Sequence, residues 1–276
     1  MQINIVNIHI VMINNTQNIQ EVEKEDVDLS SFELKDKLND KLWNGGRLDI
    51  LARRKLLTIA RDFISKFEIS DFQIDDVIMI GSLANYNWSE EYSDIDLHIV
   101  VDFRDINDDV DLVKAFFDAV KDKWNQDHER IKIYGYPVEI YVQDVNEKHT
   151  SSGVYSVLYD KWIIEPSLDK FKKQMDDVDD NDIQEVAASF MNEIDDLEER
   201  TEAVDQNTPY DELEGLMDDA YELRDRIKDV RKSDLGSTGT ELSTGNLIFK
   251  TLRRNGYLER LRDVRRNLYD LIHSLE

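Results

Sequence analysis

The strand-like segments of this chain all lie before Pro166, and the sequence after that residue has the pattern of helices. Residues 95–101 alternate apolar and polar side chains in period two, which is typical of a half-buried strand. Residues 182–206 and 209–232 instead indicate two long acidic helices, and residues 246–275 a helix interrupted near Asn255. The sequence therefore predicts an α+β fold (mixed α/β), with a small mixed sheet followed by an all-helical part.

Three parts follow from this division. Residues 1–31 are expected to form a flexible N-terminal arm, residues 32–166 a mixed α/β domain, and residues 167–276 an acidic helical domain with a basic C-terminal tail. Within the second part the patterns predict helices over 47–67 and 112–124 and strands over 77–80, 95–101, 131–134 and 138–142. The Gly-Ser-Thr-Gly run at 236–239 predicts a flexible break.

The net charge of −26 comes from 60 acidic against 34 basic side chains. Residues 169–235 alone carry 23 acidic and 9 basic side chains, a balance of −14. Such a charge argues against extensive binding of nucleic-acid backbone, because phosphate contacts need clustered Lys and Arg. The acidic block has two interpretations: solvated faces of packed helices, or a docking surface for a basic partner protein.

Features that the sequence lacks also restrict the kind of protein it can be. The chain has no cysteine, which fits a reducing compartment. It has no apolar run long enough for a membrane-spanning helix, and its first 13 residues lack the basic start of a signal peptide. We expect a cytoplasmic protein that does not bind a membrane.

The first candidate site is Asp94-Ile95-Asp96. The D-x-D spacing also occurs at Asp26, Asp177 and Asp180 and carries little information alone. Only Asp94 and Asp96 stand at the start of an apolar strand, where period two puts both carboxylates on one face. Carboxylate oxygens are the ligands Mg²⁺ prefers, and two such ions can clamp the oxygens of a phosphoryl transfer. The alternative is a turn residue beside an edge charge.

Two further features point to the same chemistry. Gly81-Ser82 ends the strand over 77–80 and is followed by a possible helix start, a combination suited to binding a phosphate. Glu139 lies among apolar neighbours in the strand over 138–142, where an unpaired acid would be costly to bury. A third metal ligand explains Glu139, and an exposed edge position is the alternative.

Together, the strand, Gly81-Ser82, the Asp94/Asp96 pair and Glu139 resemble the DNA polymerase beta-like nucleotidyltransferase superfamily. The resemblance implies that Gly81 and Ser82 hold the phosphates of a nucleoside triphosphate (NTP). It implies that Asp94 and Asp96 bind two Mg²⁺ ions, with Mn²⁺ a possible substitute, and that Glu139 completes the site of the catalytic metal. The reaction would move a nucleoside monophosphate to an acceptor hydroxyl and release pyrophosphate.

Most of residues 32–276 outside the acidic helices also resembles a group of phage-encoded predicted nucleotidyltransferases, which would place the protein in a host cytoplasm. The matching segments are 52–57, 81–87, 93–103, 124–128, 153–156, 162–166 and 246–258. The acceptor stays open between an RNA end, a protein and a small molecule. Two other functions are open: an idle nucleotidyltransferase fold that binds a nucleotide or a host defence protein through its acidic surface, and a DNA-mimicking inhibitor.

Several further residues have two interpretations. Arg253 and Arg254, in the basic tail, either contact the triphosphate or lie on a solvated helix face. His98 either supports a metal-ligating carboxylate or is a buried, satisfied histidine. The remaining candidates are either ligand-contacting or structural; they are the pair Trp124 and His128, the pair Tyr155 and Trp162, and the basic run Arg53-Arg54-Lys55.

Overall fold

A computed structural model of the protein describes residues 21–67, 73–149, 151–205, 207–235 and 242–274. Within these ranges the chain forms a mixed sheet of six strands, a separate two-stranded ribbon and seven α-helices, so the prediction of an α+β fold is confirmed. The strands are β1 (Trp43–Asn44), β2 (Arg47–Leu48), β3 (Ile74–Ile80), β4 (Ile95–Val101), β5 (Lys132–Ile133), β6 (Tyr136–Asp144), β7 (Val154–Ser156) and β8 (Lys161–Ile164). The helices are α1 (Ile50–Ile64), α2 (Val110–Asp127), α3 (Leu168–Asp176), α4 (Asp180–Glu202), α5 (Tyr210–Leu235), α6 (Thr244–Arg254) and α7 (Tyr257–His273).

One parallel pair organises the sheet, whose strand order is β5-β6-β4-β3-β7-β8. β4 and β6 run parallel, and the other pairings are antiparallel. A parallel pair needs a crossover connection, and α2 supplies it between these two strands. The start of β4 and the first half of β6 therefore lie at the same end of the sheet.

Alternation along the strands gives the sheet two different faces. Ile95, Leu97 and Ile99 of β4 are fully buried in the main core. Helices α1 and α2 contribute to that core through side chains such as Phe63 and Phe117. Asp96 and His98 of β4 point to the opposite face and are only partly buried, and Val100 on that face is buried in a small separate cluster with Ile78 and Val154. Polar side chains that start at Asp96 are therefore kept out of the main core.

The helices after Pro166 enclose a second core, separate from the first. Ile194 of α4, Ala220 of α5, Leu252 of α6 and Leu268 of α7 are among its fully buried members. Ion pairs tie the acidic surfaces of α4 and α5 together, as in the two contacts from Arg226 to Glu193 at 2.6 and 2.9 Å. None of the helices in the described ranges has a stretch both long and apolar enough to cross a bilayer.

Part of the predicted N-terminal arm can be described. Val27 is buried in the helical core, and Asn192 of α4 exchanges two hydrogen bonds with the backbone of Val22. The rest of the arm, residues 1–20, lies outside the described residues, as does the predicted break at 236–239.

Several predicted elements form with shifted ends. Helix α1 begins at Ile50, later than predicted, because the Asp49 carboxylate accepts hydrogen bonds from the amides of Leu51 and Ala52. The predicted interruption at Asn255-Gly256 separates α6 from α7, and Gly256 has a φ of 79° there. The ribbon β1–β2, the strands β7 and β8, and helix α3 were not predicted.

Candidate metal centre

The parallel pairing of β4 with β6 brings the predicted acidic residues together. Asp96 is the direct register partner of Glu139, and Asp94 immediately precedes β4 at the same end. Each of the three offers a carboxylate oxygen, and these oxygens all lie within 4.8 Å of one another. All three residues are half-buried. Among the described residues, this is the only group of three or more acidic, His or Cys side chains close enough to hold a metal ion.

The backbone of Gly81 forms the floor beside Asp96. Gly81 has a φ of 78°, and a Cβ atom built on it would lie 1.8 Å from Asp96 Oδ2. Any side chain at this position would displace the carboxylate. Only glycine therefore allows both this turn and this position of Asp96.

Ser82 lies at the edge of the same turn. Its hydroxyl is 2.7 Å from the hydroxyl of Ser93, the residue before Asp94, so a side-chain contact joins the two loops of the site. The expected helix start after Ser82 is wrong: the residues form a single 3-10 turn, Ser82–Ala84, whose Leu83 and Ala84 are buried. Of the predicted phosphate-binding combination, only the Gly81 backbone and the Ser82 hydroxyl are therefore left to contact an anion.

Electrostatic repulsion acts between acids of this group. Burial raises the pKa of Glu139, and the nearby Asp94 carboxylate raises it further. Arg253 and Lys121 act in the opposite direction and lower it. A bound cation would relieve the repulsion between Asp94 and Glu139.

A layer of aromatic and polar side chains lies next to the acids on the same face. Tyr141 stacks on His98 with ring centroids 4.9 Å apart, and Lys121 Nζ lies 4.4 Å from the Tyr141 ring centroid. Burial, with help from the three acids, raises the pKa of Tyr141 to about 12. The Tyr141 hydroxyl therefore stays protonated at neutral pH.

His98 uses one of its ring nitrogens for a contact with another polar side chain. Its Nδ1 lies 2.9 Å from Oε1 of Gln143, which is on the neighbouring strand β6, two residues after Tyr141. Burial lowers the pKa of His98 to about 4, so the ring is neutral. The structure favours the interpretation of a buried, satisfied histidine.

The two arginines of the basic tail occupy different environments at the end of α6. Arg253 is exposed, acts electrostatically on Glu139 and Tyr141, and makes no ion pair in the described part of the chain. Arg254 is half-buried: its guanidinium carbon lies 4.0 Å from the Phe32 ring centroid and 5.1 Å from that of Tyr92. Its Nη1 donates to the Ser31 hydroxyl at 2.6 Å, and burial lowers its pKa to about 10.

Arg254 also interacts electrostatically with Asp94, and its buried Nε has no hydrogen-bond partner among the described residues. Its predicted contact with a triphosphate therefore stays a prediction. Because Tyr92 lies two residues before Asp94, Arg254 also joins the helical domain to the loop that carries the first acid.

The other aromatic candidates lie away from the acids. Trp124 packs edge-on against Phe63 in the main core and stacks on His128, whose Nδ1 is bound to the Trp124 carbonyl. Tyr155 is fully buried between Trp43 and Trp162. All four side chains are engaged in packing, so the structure favours the structural interpretation of both pairs.

The basic run on α1 is also partly structural. Arg53 donates to the carbonyls of Val157 and Leu158, each at 2.7 Å, and lies 3.4 Å from Asp160. Arg53 therefore connects α1 to the turn between β7 and β8.

Two cations near the site were missed by the sequence analysis. Lys121 of α2 reaches the Tyr141 ring around the edge of the sheet. Arg231 of α5 has its guanidinium carbon 4.2 Å from the Phe249 ring centroid and interacts electrostatically with Arg253 and Tyr141. No sequence signal marks either residue, since both lie in helices rich in exposed charges.

Comparisons of the chain with protein-family models, with curated proteins and with solved structures found no match.

Proposed function

We propose that the protein is a magnesium-dependent nucleotidyltransferase, which moves a nucleoside monophosphate from an NTP to an acceptor hydroxyl and releases pyrophosphate. The observation that carries the proposal is the group of Asp94, Asp96 and Glu139, whose carboxylate oxygens lie within 4.8 Å of one another beside the Gly81-Ser82 turn. In this interpretation residues 32–166 are a polymerase beta-like catalytic domain working in the cytoplasm.

The donor set fits Mg²⁺ or Mn²⁺. Three carboxylates supply only oxygen ligands, and their mutual repulsion is relieved by a divalent cation. Asp94 and Asp96 would be shared between two ions, and Glu139 would complete the site of one. When bound, the ions would neutralise the charge on the phosphates and on the acceptor oxygen.

The side chains around the acids define what the protein itself contributes. The Gly81 backbone and the Ser82 hydroxyl would hold the phosphates next to Asp96. The exposed Arg253 guanidinium would neutralise the part of the triphosphate that leaves as pyrophosphate. Glu139 would accept a hydrogen bond from the acceptor hydroxyl and orient it for in-line attack on the α-phosphorus. Catalysis would rest mainly on positioning and charge neutralisation.

The test is incubation with each α-labelled NTP, Mg²⁺ or Mn²⁺ and a bacterial lysate, followed by separation of labelled RNA, protein and small molecules. Pyrophosphate release is measured in parallel. We expect label transfer by the wild-type protein and its loss in Asp96→Asn and Glu139→Gln. Asp122→Asn, an exposed acid of α2, is the matched control and should retain full transfer.

Two outcomes would reject the proposal. Full activity in the Asp96→Asn protein would show that the acids do not hold the reaction centre. Tight NTP binding by calorimetry, without turnover on any acceptor, would instead favour an idle fold that sequesters nucleotides.

A further inference from the structure

The turn between β5 and β6 has a backbone conformation that its sequence does not favour. Ile133 pairs with Tyr136, so the turn consists of Tyr134 and Gly135 alone, with φ values of 52° and 96°. Positive φ at both positions is the geometry of a type I′ hairpin turn, in which Asn-Gly and Asp-Gly are preferred. A tyrosine at the first position is strained, and strain of this kind in a native fold points to a functional reason for the side chain.

The strained turn holds the Tyr134 side chain in a defined place. Its hydroxyl donates to Asp49 Oδ1 at 2.8 Å, and Asp49 is also the residue that caps α1. The Tyr134 side chain is nevertheless 44% exposed, and the described residues place no second aromatic ring against it. The ring therefore stands at the protein surface with its position fixed at the hydroxyl end.

A groove of about 620 Å³ runs beside this ring, between α1 and β5. Its floor is apolar and includes Ala52 and Ile133. Its rims carry three exposed cations, Lys55, Arg130 and Lys132, and no acidic side chain lines it. None of the three cations forms an ion pair within the described residues. In a protein with a net charge of −26, this is a locally basic surface.

The combination matches the chemistry of a single nucleic-acid strand. Aromatic rings stack bases regardless of their sequence, apolar floors accept base or sugar faces, and lysine or arginine rims contact the phosphates. One strand links the groove to the acids, which lie on the opposite face of the sheet: β6 leads from the Tyr134 turn to Glu139 in five residues, at most about 17 Å along an extended strand.

We propose that this groove, lined by Lys55, Arg130, Lys132 and Tyr134, binds a short single-stranded segment of a nucleic-acid acceptor. The role of that strand as acceptor rests on the proposed nucleotidyltransferase function, whereas its binding to the groove does not. Three phosphate contacts are compatible with the acidity of the chain, which disfavours only extensive backbone binding.

The test is fluorescence anisotropy with a 5′-labelled, ten-nucleotide single-stranded RNA and the same sequence as DNA, without NTP or divalent metal. For three phosphate contacts, the logarithm of the binding constant should fall with the logarithm of salt concentration with a slope of about −2. The Lys55→Gln, Arg130→Gln, Lys132→Gln triple variant should bind at least tenfold more weakly and lose most of the slope. The matched control is Lys172→Gln, Lys173→Gln, Lys228→Gln, which removes the same charge from exposed positions of the helical domain.

A single substitution tests base stacking on Tyr134 without destabilising the turn. Tyr134→Asn creates the preferred Asn-Gly turn, so the variant should melt at the wild-type temperature or above it. It should nevertheless bind the oligonucleotides roughly fivefold or more weakly, because a stacking face is lost. Unchanged affinity in Tyr134→Asn would overturn the assignment of the aromatic ring as a base-stacking group.

Two further results bear on the identity of the ligand. Equal losses in the groove triple variant and in the control triple variant would show that only net charge matters and would overturn the proposal. Displacement of the RNA by an acidic peptide of equal charge and similar affinity would assign the groove to protein partners instead. Asp96→Asn should bind the oligonucleotides as the wild type does, so failure of the catalytic proposal would leave this result intact.

Discussion

At the scale of single residues, the acids of the candidate metal centre are placed at a cost to stability. Asp94 and Glu139 are half-buried, and their proximity raises the pKa of Glu139. Sites that bind charged ligands commonly keep such unfavourable pairs when the ligand is absent. In the metal-free protein, removing one of these acids should therefore raise the free energy of unfolding.

We expect Asp94→Asn to stabilise the metal-free protein by on the order of 1 kcal/mol, because it removes like-charge repulsion near Glu139. The same substitution should abolish the rise in melting temperature that Mg²⁺ or Mn²⁺ gives the wild type. Thermal melts in EDTA and in a large excess of metal measure both effects. Asp122→Asn should change neither, and a metal response retained in Asp94→Asn would argue against Asp94 as a ligand.

Two glycines with nearly the same φ differ in what an added side chain would meet, which allows the contact between Gly81 and Asp96 to be tested. Gly81 and Gly46 have φ values of 78° and 79°, but a Cβ on Gly46 meets nothing within 4 Å, whereas one on Gly81 meets Asp96. Gly46→Ala should cost about 1–2 kcal/mol in the free energy of unfolding, from the positive φ alone. Gly81→Ala should cost roughly 3 kcal/mol or more and also lose the metal response. Chemical denaturation measures the difference, and equal costs would contradict the close approach of Gly81 to Asp96.

At the scale of elements, the end of α6 gives its two arginines different roles. Arg253→Gln should weaken NTP binding, because it removes an exposed cation near Glu139, and for the same reason it should not weaken the metal response. Arg254→Met should change stability by no more than about 1 kcal/mol, since lost stacking and hydrogen bonding are offset by relief of a buried charge. It should nevertheless weaken the metal response, because Tyr92 loses its contact near Asp94.

Calorimetry with an NTP and melts with Mn²⁺ distinguish the two variants. Arg262→Gln, an exposed arginine of α7, is the control and should resemble the wild type in both. A loss of NTP affinity in Arg254→Met with a normal metal response would indicate that Arg254 contacts the triphosphate.

At the scale of the whole molecule, the net charge of −26 dominates the electrostatic field. Self-repulsion destabilises a compact state, and salt screens it. We therefore expect the melting temperature in EDTA to rise by a few degrees between 20 and 200 mM NaCl (a range over which the screening length falls severalfold). A fall over that range would show that ion pairs such as Arg226–Glu193 outweigh the repulsion.

Sequence patterns predicted the parts of the fold that have a clear period. β4 alternates over Ile95–Ile99, and α4 and α5 are long and amphipathic, so the sequence predicted that these elements exist. β7 was missed because all three of its residues are buried and leave no alternation. Tyr155 was consequently interpreted as a possible ligand contact, although it belongs to the core.

The sequence predicted which residues form the candidate site better than it predicted how these residues are arranged in space. The spacing of Asp94 and Asp96 along one strand places both on one face, but no local pattern pairs that strand with the one carrying Glu139. The environment of Arg254 could not be predicted either, because it depends on Ser31, Phe32 and Tyr92, which are distant in sequence. Tertiary contacts decide which of two adjacent arginines is exposed.

The pairing of Asp96 with Glu139 joins residues 43 positions apart through a parallel crossover. Parallel pairing at such separation is slow, because the intervening chain must be closed before the contacts form. The three acids therefore meet only after α2 has packed and β6 has docked beside β4. A cation that binds all three would act on a late step of folding, and would lengthen the lifetime of the folded protein more than it would hasten its formation.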